Sequence, residues 1–181
     1  LAASTINGTL TATGGASAGI VDSGNVAVAG NVTLTTDAGN GVINMGTLQQ
    51  SAGDLILVTN GSGAATVVNN AAIDFGTSNV GGALDVTASA GTITQNGGAL
   101  TVAGTSAFTT STNDQAITLS NTTNALTGAV AFTTGGTTGN VVIDNGTTAL
   151  DLAASTINGT LTATGGASAG IVDSGDVAVA G

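Results

Sequence analysis

Short runs in which apolar residues alternate with threonine or small residues recur along the whole chain. Examples are TLTAT at 9–13, NVTLTT at 31–36, DLILVT at 54–59 and AVAFTT at 129–134. A period of two with many β-branched residues predicts β-strands rather than helices. Clusters rich in glycine and asparagine, such as DAGNG and NGSG, separate the runs and supply the positive-φ positions of turns. The chain is therefore predicted to be all-β, with short strands.

The bulky apolar residues of these runs form three interleaved series, each with a period of about 25 residues. The series begin with Leu10, Leu34 and Val58; with Ile20, Ile43 and Val67; and with Val28, Leu48 and Phe75. Three short strands per coil of about 25 residues predict a right-handed parallel β-helix, a form of β-solenoid. Each strand then turns an apolar residue inward, and successive coils stack about 4.8 Å apart. We therefore expect the members of each series to lie above one another.

The chain also repeats itself over longer distances. Residues 1–30 and 152–181 agree at every position except Asn25, which becomes Asp176, so the repeat length is 151 residues. A weaker match relates GTLTAT at 8–13 to GALDVT at 82–87, and IDFGTSNVGG at 73–82 to LDLAASTING at 150–159. Residues 1–151 are therefore predicted to be one long tandem repeat of about six coils, made of two half-repeats of about 74 and about 77 residues. Residues 152–181 begin the next repeat of a single continuous solenoid.

Neither end of the chain has the polar cap that a solenoid usually needs. We therefore expect a segment of a longer array, or a subunit whose ends meet its copies. The predicted partners are adjacent repeats, or copies of the chain stacked end to end.

Composition excludes several classes of function. All ten charges are aspartates, giving a net charge of −10, and the chain has no Lys, Arg, His, Cys, Trp or Tyr. Because Lys and Arg dominate the binding of phosphate groups, neither nucleic acid nor anionic lipid is expected as a partner. No apolar stretch is long enough for a membrane-spanning helix, so no membrane insertion is expected either. Without cysteine the chain forms no disulfides.

Three kinds of site are alternatives to a plain structural role. Paired carboxylates for glycoside hydrolysis would come from Asp74 with Asp85, or from Asp144 with Asp151. Asp74 and Asp151, however, occupy equivalent repeat positions, and no His, Lys, Arg, Tyr or Glu is present to assist. The chain is therefore predicted not to be an enzyme, with no catalytic, cofactor-binding or metal-binding residue.

The other two kinds of site are a calcium site and an ice-binding face. Asp37 and Asp114 lie in loops, but the nonapeptide pattern of calcium-binding β-helices is missing, so only loosely bound calcium is expected. Threonine ranks for ordering water would comprise Thr9 and Thr11, Thr33 and Thr35, and Thr160 and Thr162. Asparagines in predicted turns would form side-chain ladders if neighbouring coils align; they are Asn60, Asn69, Asn96 and Asn145.

Two longer stretches carry a resemblance to a known family. The stretches GALDVTASAGTITQNGGALTVAGTSAFTTSTNDQAITLSN and GTLTATGGASAGIVDSGNVAVAG resemble the repeats of giant bacterial surface proteins of the filamentous-haemagglutinin type. The resemblance implies export by two-partner or related secretion, and an extracellular or cell-surface location on a Gram-negative bacterium.

The expected function is structural: a stiff, protease-resistant segment of an extracellular fibre, filament or surface layer. The alternative is an adhesin repeat region that binds a glycan or another cell, or a stalk that displays a distal adhesion domain.

Overall fold

The computed structural model describes residues 1–15, 18–37, 39–166 and 170–181. These residues form 23 short β-strands joined by turns, and none of them is helical. No helix in this part of the chain could therefore cross a membrane.

The strands are two to eight residues long and follow one another along the chain without other elements. The first eight are β1 (Ser4–Ile6), β2 (Leu10–Gly14), β3 (Ile20–Val21), β4 (Val26–Val28), β5 (Val32–Thr36), β6 (Ile43–Gln50), β7 (Leu55–Val58) and β8 (Ala65–Asn69). The next eight are β9 (Ile73–Phe75), β10 (Ser78–Val80), β11 (Leu84–Ala88), β12 (Ile93–Gln95), β13 (Leu100–Val102), β14 (Ser106–Asn113), β15 (Ile117–Leu119) and β16 (Ala125–Leu126). The last seven are β17 (Val130–Gly135), β18 (Val141–Asp144), β19 (Leu150–Leu152), β20 (Ser155–Ile157), β21 (Leu161–Thr164), β22 (Ile171–Asp173) and β23 (Val177–Val179).

Two parallel sheets, of 12 and 11 strands, form the walls of the molecule. Each strand pairs with strands from the coils before and after it, as in β11, which lies between β8 and β14. The chain is therefore a parallel β-solenoid of about eight turns, and the predicted fold class is confirmed.

The coil is shorter than predicted. From β3 to β22 the ladder takes seven steps, not six, over the 151 residues that separate Ile20 from Ile171. A coil therefore has about 22 residues rather than 25.

The bulkiest residue of a run is not always the one that stacks on the next coil, and this shifts the apparent period. Leu34 pairs with Ala12 and Leu57, not with Leu10 and Val58, because a small alanine occupies the inward position in the first of these coils. The predicted stack of Ile20 on Ile43 is confirmed, but Val67 pairs with Met45 and Val28 with Gln50, so the remaining members of those series are displaced by two residues. Phe108 pairs with Phe132. The two phenylalanine rings stack with their centroids 5.8 Å apart.

The core is a narrow column of aliphatic side chains between the two sheets. Inward residues alternate with outward ones along each strand, as in β5, where Val32, Leu34 and Thr36 are buried. The three phenylalanines are fully buried, and Phe75 meets Phe108 edge to face at 6.3 Å. Small and branched side chains fit this thin interior, which accounts for the scarcity of aromatic residues.

Equivalent strands of the two half-repeats lie in opposite sheets. β4 belongs to the 12-stranded sheet, while β13, one half-repeat later, belongs to the 11-stranded sheet. In the same way β9 lies in the 11-stranded sheet and β19, one half-repeat later, in the 12-stranded sheet. Because seven coils make the long repeat, half of it spans three and a half coils and ends on the opposite side of the solenoid.

Candidate functional site

The columns of stacked strands do not all run the length of the solenoid. The column β1–β4–β6 ends in the coil of β8, because the register between β6 and β8 shifts after Met45. On the opposite sheet, the single strand β7 pairs with two strands of the next coil. Leu55 pairs with Phe75 of β9, and Val58 pairs with Asn79 of β10. One column thus ends and another begins within one turn.

A buried asparagine closes the column that ends. The Asn69 Oδ1 accepts a hydrogen bond from the Gln50 N–H at 2.7 Å, and its Nδ2 donates to the Gln50 carbonyl at 3.0 Å and to the Ala72 carbonyl at 2.8 Å. The side-chain amide therefore meets both backbone groups of Gln50 as a peptide unit of a further strand would. Since Asn69 has no solvent exposure, these bonds satisfy groups that water cannot reach.

The same device recurs in the second half-repeat. The Asn145 Oδ1 accepts from the Leu126 N–H at 2.7 Å, and its Nδ2 donates to the Leu126 carbonyl at 2.9 Å and the Ala149 carbonyl at 2.7 Å. Leu126 is the last residue of β16, where the column β10–β13–β16 ends. Asn145 is fully buried as well.

A buried serine lies where each new column begins. The Ser78 Oγ accepts from the Leu57 N–H at 3.0 Å and donates to the Gly76 carbonyl at 3.0 Å. The Ser155 Oγ accepts from the Phe132 N–H at 3.0 Å and donates to the Ala153 carbonyl at 2.8 Å. Each hydroxyl thus accepts a hydrogen bond from a backbone N–H at the point where one strand faces two strands of the next coil.

We call Asn69 with Ser78 the first column switch, and Asn145 with Ser155 the second. The sequence repeat marks the two serines, which lie at matching positions of the stretches IDFGTSNVGG and LDLAASTING. It does not show that they are buried or which backbone groups they bind. The prediction of asparagine ladders was wrong. Asn69 and Asn145 each bond to backbone, and Asn60 and Asn96 are exposed.

The predicted carboxylate pairs are not brought together. Asp74 lies in the 11-stranded sheet and Asp85 in the 12-stranded sheet, and Asp144 and Asp151 are divided in the same way. The Thr94 hydroxyl donates to Asp74 at 3.1 Å, and the Gly146 N–H donates to Asp144 at 2.8 Å. Both carboxylates thus serve local structure.

Asp114 is bonded to the next coil through one oxygen of its carboxylate. Its Oδ1 accepts from the Thr137 N–H at 2.7 Å, the Thr138 N–H at 2.9 Å and the Thr138 hydroxyl at 3.1 Å. These bonds favour the charged form and lower the pKa of Asp114 below its ordinary value. Asn40, one half-repeat earlier, has the matching role and accepts from the Ser62 N–H at 2.9 Å.

The other predicted loop ligand, Asp37, is exposed. Within residues 1–15, 18–37, 39–166 and 170–181, no three acidic or metal-ligating side chains cluster as a metal site requires.

The threonine ranks differ from the predicted ones. Thr11 pairs with Thr33, and Thr13 with Thr35. In the next coil Ile56 and Val58 take the corresponding positions, so this rank spans two coils. The third predicted pair is also flanked by other residues, since Thr162 pairs with Val142.

A shallow groove runs along the column β1–β4–β6. Its volume is about 320 Å³, and its lining includes the outward residues Thr5, Ala27 and Gln49 of three successive coils. Asn7 and Asn70 border it. The groove therefore offers amides and hydroxyls along the solenoid axis.

Comparison with known proteins places the chain in a repeat family. The model of the family described as repeats of unknown function (DUF5649) matches residues 62–133 and 138–181, nearly two thirds of the chain. The chain belongs to this family. No curated protein and no solved structure matches it. The comparisons thus support tandem repeats, while the likeness to filamentous-haemagglutinin repeats stays a resemblance of sequence.

Proposed function

We propose that the chain is a structural segment of an extracellular repetitive fibre, filament or surface layer, in which it forms a stiff β-solenoid rod. The observation that carries this proposal is the backbone ladder, which the two column switches maintain where columns end and begin. Asn69 and Asn145 provide the bonds of a missing strand, and Ser78 and Ser155 take up the amides between diverging strands.

Stiffness follows from this bonding. Each inner coil is bonded to coils on both sides, and its inward side chains are almost completely buried, as with Val86 and Phe108. Bending the rod would open the ladder on one side and compress the core on the other. The chain also offers no Lys or Arg to trypsin-like proteases, which suits an extracellular fibre.

The same observations support a non-enzymatic role. The two members of each candidate catalytic pair lie in opposite sheets, and Asp74 and Asp144 have local hydrogen-bonding partners. The resemblance to giant surface proteins supports an extracellular or cell-surface location on a Gram-negative bacterium, with adjacent repeats as partners.

Imaging with antibodies raised against this chain tests the proposal on native cells. We expect the antibodies to label filaments or a layer outside the cell. In ordered filaments, the coil rise of about 4.8 Å should combine into a seven-coil repeat of roughly 34 Å. Labelling confined to the cell interior, or filaments without a rise of about 4.8 Å, would contradict the proposal.

The groove along β1–β4–β6 favours a second candidate function, the binding of a glycan. Its row of hydroxyl and amide groups on successive coils matches the hydrogen-bonding needs of a sugar chain. A glycan array probed with the chain tests this, with Gln49→Ala as the groove variant and Asn96→Ala as the exposed control outside the groove. Binding that Gln49→Ala reduces about tenfold and Asn96→Ala leaves unchanged would favour the adhesin. No binding, or equal effects of both variants, would reject it.

A further inference from the structure

The dipeptide Asn-Gly recurs along the chain and is a chemically sensitive sequence. It occurs six times, beginning at Asn7, Asn40, Asn60, Asn96, Asn145 and Asn158. Asparagine before glycine is especially prone to lose its side-chain amide, because glycine has no side chain to shield its nitrogen and rotates freely. Since Asn7 is the copy of Asn158 in the first coil, we compare the five pairs that follow a described coil.

The reaction needs only water. The glycine nitrogen attacks the asparagine Cγ, an N–Cγ bond forms, the Cγ–Nδ2 bond breaks, and ammonia leaves with the proton of the glycine N–H. Water then opens the succinimide ring. Attack at Cγ gives aspartate in an ordinary backbone, whereas attack at the backbone carbonyl carbon gives isoaspartate, in which the chain runs through one additional carbon. No group is oxidised or reduced.

The pair at the second column switch is protected in two ways. Asn145 is fully buried, and its side-chain amide is bonded to the backbone of Leu126. The Gly146 N–H, which would supply the attacking nitrogen, donates to the Asp144 carboxylate at 2.8 Å. Both the nucleophile and the leaving group are therefore engaged by the fold.

Two further pairs are held by bonds between coils. In both pairs the glycine is buried. The Asn40 Oδ1 accepts from the Ser62 N–H at 2.9 Å, and the Asn158 Nδ2 donates to the Thr134 carbonyl at 2.8 Å. Neither side chain can turn toward the glycine nitrogen without breaking its bond to the adjacent coil.

The pair at Asn60 is exposed but packed against the coil before it. A Cβ added to Gly61 would collide with the Asn40 Oδ1 and the Gly39 carbonyl oxygen. The Asn60 N–H donates to the Thr36 hydroxyl oxygen at 3.2 Å. Rotation of this turn toward the reactive geometry is therefore restricted.

Asn96 and Gly97 form an open turn between β12 and β13. Both residues are exposed, and a Cβ added to Gly97 would meet no atom within 4 Å. The φ of Gly97 is +80°, in the left-handed region that glycine enters without steric cost. Among the residues that the structure describes, neither the Asn96 side-chain amide nor the Gly97 N–H has a hydrogen-bond partner. The nucleophile and the leaving group are both free here.

We propose that Asn96 is a site of spontaneous deamidation and isomerisation in the folded solenoid, with Gly97 as the attacking residue. This goes beyond the structural role, because it gives the repeat a covalent change that accumulates with time after folding. The change adds a carboxylate to a chain with a net charge of −10 and no cationic side chain.

The isoaspartate form also loosens an amide pair beside the turn. The Gln95 Nε2 donates to the Gly98 carbonyl at 2.7 Å and to the Asn124 Oδ1 at 2.6 Å, and the Asn124 Nδ2 donates back to the Gln95 Oε1 at 3.0 Å. The Asn124 Oδ1 also accepts from the Leu100 N–H at 2.8 Å. An additional backbone carbon between Gln95 and Gly98 lengthens the turn that these bonds span.

Incubation of the full chain in heavy-oxygen water tests the proposal at each pair separately. Deamidated positions retain a heavy oxygen, which mass spectrometry locates after pepsin digestion. In the folded chain we expect Asn96 to react at least about tenfold faster than Asn40, Asn60, Asn145 or Asn158, because reaction at these four requires local opening. In denaturant the five rates should become similar. An unreactive Asn96, equal rates at Asn96 and Asn60, or an order that persists in denaturant would overturn the proposal.

Glutamine variants provide matched controls. Asn96→Gln has a side chain one carbon longer, which does not form the five-membered ring, so position 96 should take up no heavy oxygen. Asn60→Gln should leave the reaction at Asn96 unchanged. Uptake at position 96 in the first variant would assign the label to another reaction and overturn the succinimide route.

Hydrogen exchange at Leu100 separates the added charge from the added carbon. Chains aged until position 96 has reacted should lose protection of the Leu100 amide several-fold. Asn96→Asp carries the same charge in an ordinary backbone and should keep this protection. Equal protection in the aged chain and in the variant would refute the effect on the amide pair.

Discussion

Two regions of the molecule differ in what covers their apolar residues. Inside the solenoid, the columns that stop at Gln50 and Leu126 are closed by the buried amides of Asn69 and Asn145. On the side of residues 152–181 that faces away from β17–β19, Ile171 is about half exposed, whereas its sequence counterpart Ile20 is buried beneath β6. A single side chain therefore suffices to end one column when its neighbours continue. The difference shows that burial in this fold belongs to the stack rather than to the residue.

The largest expected effect comes from one substitution at two identical positions. Ile20→Asp places a carboxylate in the core beneath β6 and should destabilise that coil by at least about 4 kcal/mol. Ile171→Asp places it on the open side and should cost under about 1 kcal/mol. Hydrogen exchange of the amides in β3 and β22 measures both. Similar losses at the two sites would refute the dependence of burial on the next coil.

Removal of a closing amide should have the next largest effect. Asn145→Leu leaves the buried N–H and carbonyl of Leu126 without partners, and we expect a loss of about 2–4 kcal/mol. Asn69→Leu should cost a similar amount, because it leaves the N–H and carbonyl of Gln50 without these partners. Denaturant unfolding measures the loss, with the exposed Asn96→Leu as control. A neutral Asn145→Leu would show that the column needs no closure.

The serines at the starts of columns should contribute less. Ser155→Ala removes the acceptor of the buried Phe132 amide and should cost about 1–2 kcal/mol, and Ser78→Ala should cost as much through Leu57. Ser51→Ala, at an exposed serine outside both switches, provides the comparison in the same unfolding assay. If all three variants unfold alike, the hydroxyls play no part in opening a column.

The smallest effect should appear only at low pH. The pKa of Asp114 is lowered in the folded chain, so its stabilising contribution is complete above the unfolded value of 3.8 and is lost as pH falls through the lower folded pKa. Exchange protection of the Thr137 and Thr138 amides should therefore fall only below about pH 4.

The amide of Ser62 provides the control for this pH dependence, because it is bonded to the neutral Asn40. Its protection should not follow the same titration. Protection that changes equally at Ser62 and Thr137 would assign the effect to the whole fold instead of to Asp114.

Alternation and turn residues predicted the β-solenoid because inward and outward positions differ in polarity in almost every strand. The coil length could not be read in the same way, since an inward Ala12 looks like an outward residue and shifts the apparent period. The column switches could not be predicted from the sequence, for a related reason. Asn69 and Ser78 are polar residues at buried positions, and only their bonds to preceding coils distinguish them from turn residues.

The half-turn between the half-repeats also bears on the shape of a long array. The first switch ends a column of the 12-stranded sheet, and the second, three and a half coils later, ends a column of the 11-stranded sheet. A new column begins in the opposite sheet at each switch, since β7 pairs with both β9 and β10, and β17 with both β19 and β20. Each sheet therefore loses a column at one switch and gains one at the other, so that one long repeat restores the number of columns in both walls.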